Sequence, residues 1–176
     1  ALRGGAIPFC CQGSENGLAI EGGMTLASEL LDSITRQGST LDRLFVQVGG
    51  GALASACVLA LRHAAAARSG MRPTRIHAVQ VASNAPLRRA YELVRARILE
   101  DVPGAALQAG DGLAAIAMLD PGLASRVRES LRHARGHRSQ YMQPRDGPAA
   151  SIAAGLLDDE TYDWSAVVEG MIETGG

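Results

Sequence analysis

The stretch Leu41 to Leu53, LDRLFVQVGGGAL, constrains this chain more than any other. Arg43 to Val48, RLFVQV, is a compact run rich in strand-forming residues, and Gly49-Gly50-Gly51 stops it. Ala52 to Arg68, ALASACVLALRHAAAAR, then reads as an apolar, alanine-rich helix with its arginines and histidine toward the C-terminal end, where they suit the dipole. A strand that runs through glycines into a helix exposes amide N–H groups at the positive end of that dipole, and anions bind there, phosphate above all. Glycine is needed because side chains would block the phosphate oxygens and because such a backbone nest uses positive φ angles.

The remaining segments supply the frame. Ala6 to Cys11, AIPFCC, predicts a short buried strand, and Gln12 to Gly17, QGSENG, a turn. Glu21-Gly22-Gly23 is expected to break the chain before a helix over Met24 to Arg36, where Leu26, Leu30, Leu31 and Ile34 recur at helical spacing and Gly38 ends the element. Arg75 to Val81, RIHAVQV, is the next strand. Alternation of strand and helix through the first 81 residues predicts βαβ units, hence an α/β fold with a mostly parallel sheet and helices on both faces.

Pro86 to Leu99 predicts an amphipathic helix with proline at its start, and Asp101 to Gly112 a loop. Gly122 to Arg135 and Ala149 to Leu157 are expected helices, as is Asp159 to Glu173, N-capped by Asp159 and closed by Gly175. The 176 residues suit a single α/β domain or part of one, with the glycine-loop core in residues 1–81 and a mainly helical region in 82–176. Both ends read as cut, so a fragment is expected.

Composition narrows the function. With 17 basic against 18 acidic residues and a net charge of -1, the chain has no large basic surface for nucleic acid or an anionic membrane. No apolar run is long enough to span a bilayer and no signal pattern opens the sequence, so a cytoplasmic location is expected. Cys10, Cys11 and Cys57 read as reduced thiols. His133 and His137 could share a helix face, but Gly136 and the adjacent arginines favour a solvated helix end over a metal site.

All 17 basic residues are arginine, and lysine is absent. No side chain here can form a Schiff base with a carbonyl, which excludes lysine-dependent covalent catalysis within this chain. A P-loop demands Lys-Ser/Thr after its glycines, and the dinucleotide fingerprint demands G-x-G-x-x-G with an acid near the end of the next strand. Ala52, Leu53 and Ala54 complete neither pattern.

FVQVGGGALASACVLAL resembles the phosphate-binding loop of fold type II pyridoxal-phosphate enzymes, the group of threonine synthase, threonine and serine dehydratases and the tryptophan synthase β subunit. NGLAIEGGMTLASELLDSI at 16–34 is similar to that family's segment leading into a helix before the loop, and RIHAVQV to its following strand. HRSQYM at 137–142 and LDDETYDWSAVVEGMIETGG at 157–176 resemble threonine synthase-like and dehydratase-like members.

The resemblance implies that Gly49, Gly50, Gly51, Ala52 and Leu53 give backbone amides to the phosphate of pyridoxal 5'-phosphate, Ala52 standing where a fourth glycine is usual. It implies a lyase or synthase of amino-acid metabolism working by elimination or replacement at Cβ, with a small amino-acid substrate. The chain would supply the phosphate loop and scaffold but no catalytic residue, since the Schiff-base lysine, the asparagine loop for the substrate carboxylate and the hydroxyl that meets the pyridine nitrogen are not matched. Ser14-Glu15-Asn16-Gly17 reads as an ordinary turn and Thr174-Gly175 as a helix C-cap.

The acids Asp158, Asp159 and Glu160 fit a helix N-terminus, Tyr141, Tyr162 and Trp164 fit core or interface positions, and Arg88, Arg89, Arg95 and Arg97 a solvated helix face. Two rival readings remain. One is a non-catalytic module that binds a phosphorylated metabolite or a protein partner, and the other a dinucleotide or sugar-phosphate enzyme with the same cradle. An incomplete sheet would leave unpaired edges, which leaves a homo-oligomer open.

Overall fold

A computed structural model of the chain describes residues 2–5, 17–67, 73–103, 112–144 and 147–176. The strand expected at 6–11, the turn at 12–16 and most of the loop at 101–112 lie outside these residues.

After a single 3-10 turn at Leu2–Gly4, the first helix, α1 (Gly17–Arg36), runs straight through Glu21-Gly22-Gly23. The expected break is absent because α1 packs along the helix that follows the glycine turn, and Gly23 sits at the contact. A Cβ there would lie 2.9 Å from Ala56 Cβ. Close approach of the two helices outweighs the glycine penalty, about 1 kcal/mol per residue in a helix interior. The buried positions of α1 are Ala27 and Leu31, whereas Leu26, expected on the apolar face, is 55% exposed.

Strand β1 (Arg43–Gln47), helix α2 (Ala52–Ala67) and strand β2 (Arg75–Val79) form the βαβ unit that the alternation predicts. The strands are parallel, in register from Arg43 opposite Arg75 to Gln47 opposite Val79. Val48 N donates to Val79 O and so carries the ladder one step further, while Val81 turns back to bridge Asn84.

Among the described residues the sheet has these two strands and helices cover one face of it. Val46 and Ile76 are buried on that face, with Leu44 and Ala78 packed against the core. The opposite face carries Phe45, 63% exposed and stacked on His77 with ring centroids 4.7 Å apart, and the exposed Val79. The expectation of helices on both faces is thereby corrected for this pair. Its physical reason is legible in the strands, where Arg, His and Gln alternate with apolar residues instead of forming the continuous apolar run of a strand buried on both sides.

Beyond the sheet come α3 (Pro86–Asp101), α4 (Leu113–Leu119), α5 (Pro121–Gly136), the single turn α6 (Arg138–Tyr141) and α7 (Trp164–Thr174). The helix α4 has no counterpart in the sequence analysis, because an element this short carries no resolvable periodicity. Asp120 caps α5, its Oδ1 accepting from the Gly122 and Leu123 amides at 2.8 and 3.2 Å. Ala149 to Leu157 is not a helix. Only Ala154–Leu156 makes a 3-10 turn, and Ile152 lies fully in solvent.

The core joins α3, α5 and α7 to the covered sheet face. Tyr141 and Trp164, both buried, stack with centroids 6.2 Å apart, while Tyr162 is exposed. Arg62 of α2 does not serve the helix dipole as expected. It reaches across to α7, with Nε 2.8 Å from Glu173 Oε2 and Glu169 also within ion-pair range. Gly175 closes α7 at φ +76, as the C-cap reading requires, and the Thr174 hydroxyl donates to Gly170 O and accepts from the Ile76 amide.

Candidate functional site

The glycine turn lies at the C-terminal end of the parallel strands, the place where open α/β sheets bind ligands. Gly49, Gly50 and Gly51 are buried, and Gly51 takes φ +98, a conformation that only glycine adopts without strain. Among the described residues, the amides from Gly49 to Ala54 donate to no acceptor; the first intrahelical bond runs from Ser55 N to Gly51 O at 2.9 Å. These amides therefore stand at the positive end of α2 with their hydrogen-bonding capacity unspent. Ala52 is helical, so its methyl group creates no conformational conflict in the place of a fourth glycine.

The carbonyls of the turn are fixed by a segment the sequence analysis did not connect with it. Thr161 Oγ1 donates to Gly49 O at 3.0 Å, and Asp163 N donates to Gly50 O at 3.0 Å. Gln80, just past β2, ties three elements together: Nε2 donates to Val48 O and to Thr161 Oγ1, while Oε1 accepts from the Leu87 and Arg88 amides at the start of α3. The side chain of Gln80 thus caps α3 from outside it, where Ala85 offers no capping atom. No periodicity could have marked Gln80 or Thr161, because the bonds that tie them to the turn run to Val48 and Gly49, far away in sequence.

The same bonds correct two sequence expectations. Residues 158–163 are held in irregular backbone against the turn, so α7 starts at Trp164 rather than Asp159, with Asp163 at its N-cap position. The acids at 158–160 consequently face other tasks than a helix dipole. Glu160 pairs with Arg138, Asp159 is exposed, and Asp158 stands against Gly49. A Cβ built on Gly49 would lie 2.7 Å from Asp158 Oδ2 and 3.2 Å from Gly155 O.

Beside Gln80, a cavity of about 420 Å³ opens between Ala78, Val79, Leu87, Tyr91 and Met171. Its lining is mainly apolar and its size suits a small ligand. The arginines of α3 are committed elsewhere: Arg88 pairs with Glu92, Arg97 with Asp101, and Arg89 donates to Gln143 O. They form the paired, solvated face the sequence implied rather than an anion site.

Other groups do not converge on the turn. Among the described residues no cluster of three or more His, Cys, Asp or Glu could hold a metal ion. His133 and His137 stack with ring centroids 4.0 Å apart at the end of α5, and Tyr141 lies beside His133. Cys57 is a buried free thiol whose pKa is pushed up by burial, an inert core position. No described helix is long and apolar enough to cross a membrane.

Two histidines contribute to the acid response. Burial, then the Arg43 and Arg75 guanidinium groups, hold the His77 pKa below the ordinary imidazole value against the pull of Asp42. Burial, then His137 and Arg97, do the same to His133 against Asp101. In each case the folded state binds its proton less readily than the unfolded chain, so stability is fully present above about pH 6.5 and declines as pH falls through the folded values. Thermal melts are expected to be flat from pH 8 to 7 and to drop as the pH falls below about 6.5. A His77→Asn, His133→Asn variant should flatten that decline, and an unchanged slope would remove these histidines from the account.

No family model, curated protein or solved structure matches the chain. The donors present fit a phosphate: a glycine turn with a positive φ, unspent amides and a full-length helix behind them. The oxygens nearest where a Gly49 Cβ would stand, Asp158 Oδ2 and Gly155 O, do not add to that fit.

Proposed function

We propose that the chain is the cofactor-phosphate segment of a pyridoxal-phosphate-dependent lyase or synthase of amino-acid metabolism, of the threonine synthase or threonine/serine dehydratase kind. The observation that carries this reading is the run of amides from Gly49 to Ala54, which find no acceptor among the described residues where a parallel strand turns into α2. Gly49, Gly50, Gly51, Ala52 and Leu53 hold the phosphate in this reading, and Gln80 and Thr161 keep the turn rigid through Val48 O and Gly49 O.

Pyridoxal phosphate supplies an electron sink for the pair left when an amino acid loses its α proton. The chain's own residues bind and orient. With no lysine they do not anchor the cofactor, and the parent enzyme must bring that group from elsewhere. The same lack of lysine favours, as a second reading, a binding module for a phosphorylated metabolite.

Titration calorimetry with pyridoxal phosphate, inorganic phosphate, AMP and NAD tests the assignment. Saturable binding of pyridoxal phosphate, competed by inorganic phosphate, is expected, with no lysine-linked adduct after borohydride treatment. A preference for either nucleotide would transfer the site to a different class of enzyme.

A further inference from the structure

We infer that the open face of the sheet docks into the groove between α1 and α2 of a second copy of this chain, Phe45 entering between two glutamates. The inference is independent of the phosphate reading, because neither surface includes the glycine turn. On the sheet face Phe45 is 63% exposed and stacks on His77, and Val79 further along is 47% exposed. Arg43 and Arg75 stand directly opposite each other on that face, one pair of positions before the stacked rings. Like charges so placed repel, a cost that an acid brought from outside would remove. Asp42 meets Arg43 at 3.4 Å, and Arg43 Nη1 donates to His77 Nε2 at 3.3 Å. The Arg75 guanidinium has no hydrogen-bond or ion-pair partner among the described residues.

The complementary surface lies on the other side of the molecule. Glu21, Met24, Thr25 and Glu29 of α1 and Leu59 and His63 of α2 line an open groove of about 540 Å³. Met24 and Leu59 give it an apolar lining, while Glu21 and Glu29 are exposed carboxylates without an ion-pair partner among the described residues. The two acids lie about 12 Å apart along the helix axis, which leaves room for an aromatic ring between them. One surface is thus apolar with guanidinium groups at its border, and the other apolar with carboxylates at its border, the match that steers and registers an association. Because α1 packs on α2, and Val58 and Leu61 of α2 pack on Ile76 of the covered sheet face, no chain can place its own Phe45 in its own groove. The contact is therefore head to tail, and it repeats from copy to copy.

Sedimentation equilibrium over roughly 10–500 µM protein tests the docking. The average mass of the wild type is expected to rise with concentration, and to rise less at high salt. Phe45→Ser leaves every charge in place and should weaken the association about tenfold. Two charge reversals complete the set, Arg43→Glu with Arg75→Glu on the sheet face and Glu21→Arg with Glu29→Arg in the groove. Each double variant alone should stay monomeric, since its face and groove then carry charges of the same sign. Mixed in equal amounts they should associate, because reversed face meets reversed groove and native face meets native groove. A folding defect in either variant would not be cured by mixing. A wild type that is monomeric throughout, double variants that associate as the wild type does, or a mixture no heavier than its parts would each overturn the docking.

Discussion

Gly51→Val should lower the stability of the fold by about 3 kcal/mol and abolish phosphate binding together. Two costs add at this position. A β-branched residue at φ +98 is held in a sparsely populated region, which costs on the order of 1–3 kcal/mol. Its Cβ would also lie 2.9 Å from Thr161 Cγ2 and 3.3 Å from Asp163 Cβ, and overpacking of this kind costs a further 1–3 kcal/mol or so. For a domain of this size the thermal midpoint should fall by roughly 6–12 °C. Gly136→Ala is the control, since a Cβ there meets nothing within 4 Å and its φ is not positive. That substitution should hold or slightly raise the midpoint by reducing the freedom of the unfolded chain. A Gly51→Val protein that melts like wild type would mean the turn does not need its observed conformation.

The second large effect lies where α7 crosses α2. A Cβ on Gly170 would come within 2.5 Å of Val58 Cγ2 and 2.8 Å of Cγ1, so Gly170→Ala is expected to cost about 2 kcal/mol. Val58 cannot turn aside easily, because a β-branched side chain in a helix has one strongly preferred rotamer. Val58→Ala alone also destabilises, by removing buried methyl groups from the cluster it shares with Leu31, Leu61 and Ile76. The double variant should therefore be more stable than the two single effects predict by 1 kcal/mol or more, the signature of residues in direct contact. Strict additivity in chemical denaturation would place the cost of Gly170→Ala somewhere other than this contact.

Both sites show how unevenly the fold was legible. The βαβ unit could be read because its signals are local: β-rich runs at Arg43 and Arg75, three glycines, and an alanine-rich helix between them. The helix α3 was likewise readable from its amphipathic pattern and N-terminal proline, and α5 was placed at Gly122 to Arg135, each to within a residue or two of its observed ends. Gly22 and Gly23 misled, since glycine weakens a helix locally and only the packing partner, Ala56, shows why it stands there. Residues 149–157 misled in the opposite direction, because an apolar, alanine-rich composition resembles a helix even where the backbone is drawn across a neighbouring turn.

The candidate site divides in the same way. Gly49 to Leu53 could be named from the sequence, since a phosphate cradle depends on backbone amides and glycine, and both leave a local pattern. Gln80 and Thr161 could not, because they hold the turn through hydrogen bonds to residues distant along the chain, Gln80 to Val48 O and Thr161 to Gly49 O.

By itself the sequence determined that strand β1 must pass through a glycine turn into a helix, and, by the absence of lysine, that no side chain of this chain can anchor a carbonyl cofactor. Only the tertiary structure decided what faces that turn. Local propensity puts the glycines between strand and helix, but the Thr161 hydroxyl and Asp163 amide that hold the turn's carbonyls arrive from more than a hundred residues away, through contacts that form when α7 and the segment before it pack onto the sheet.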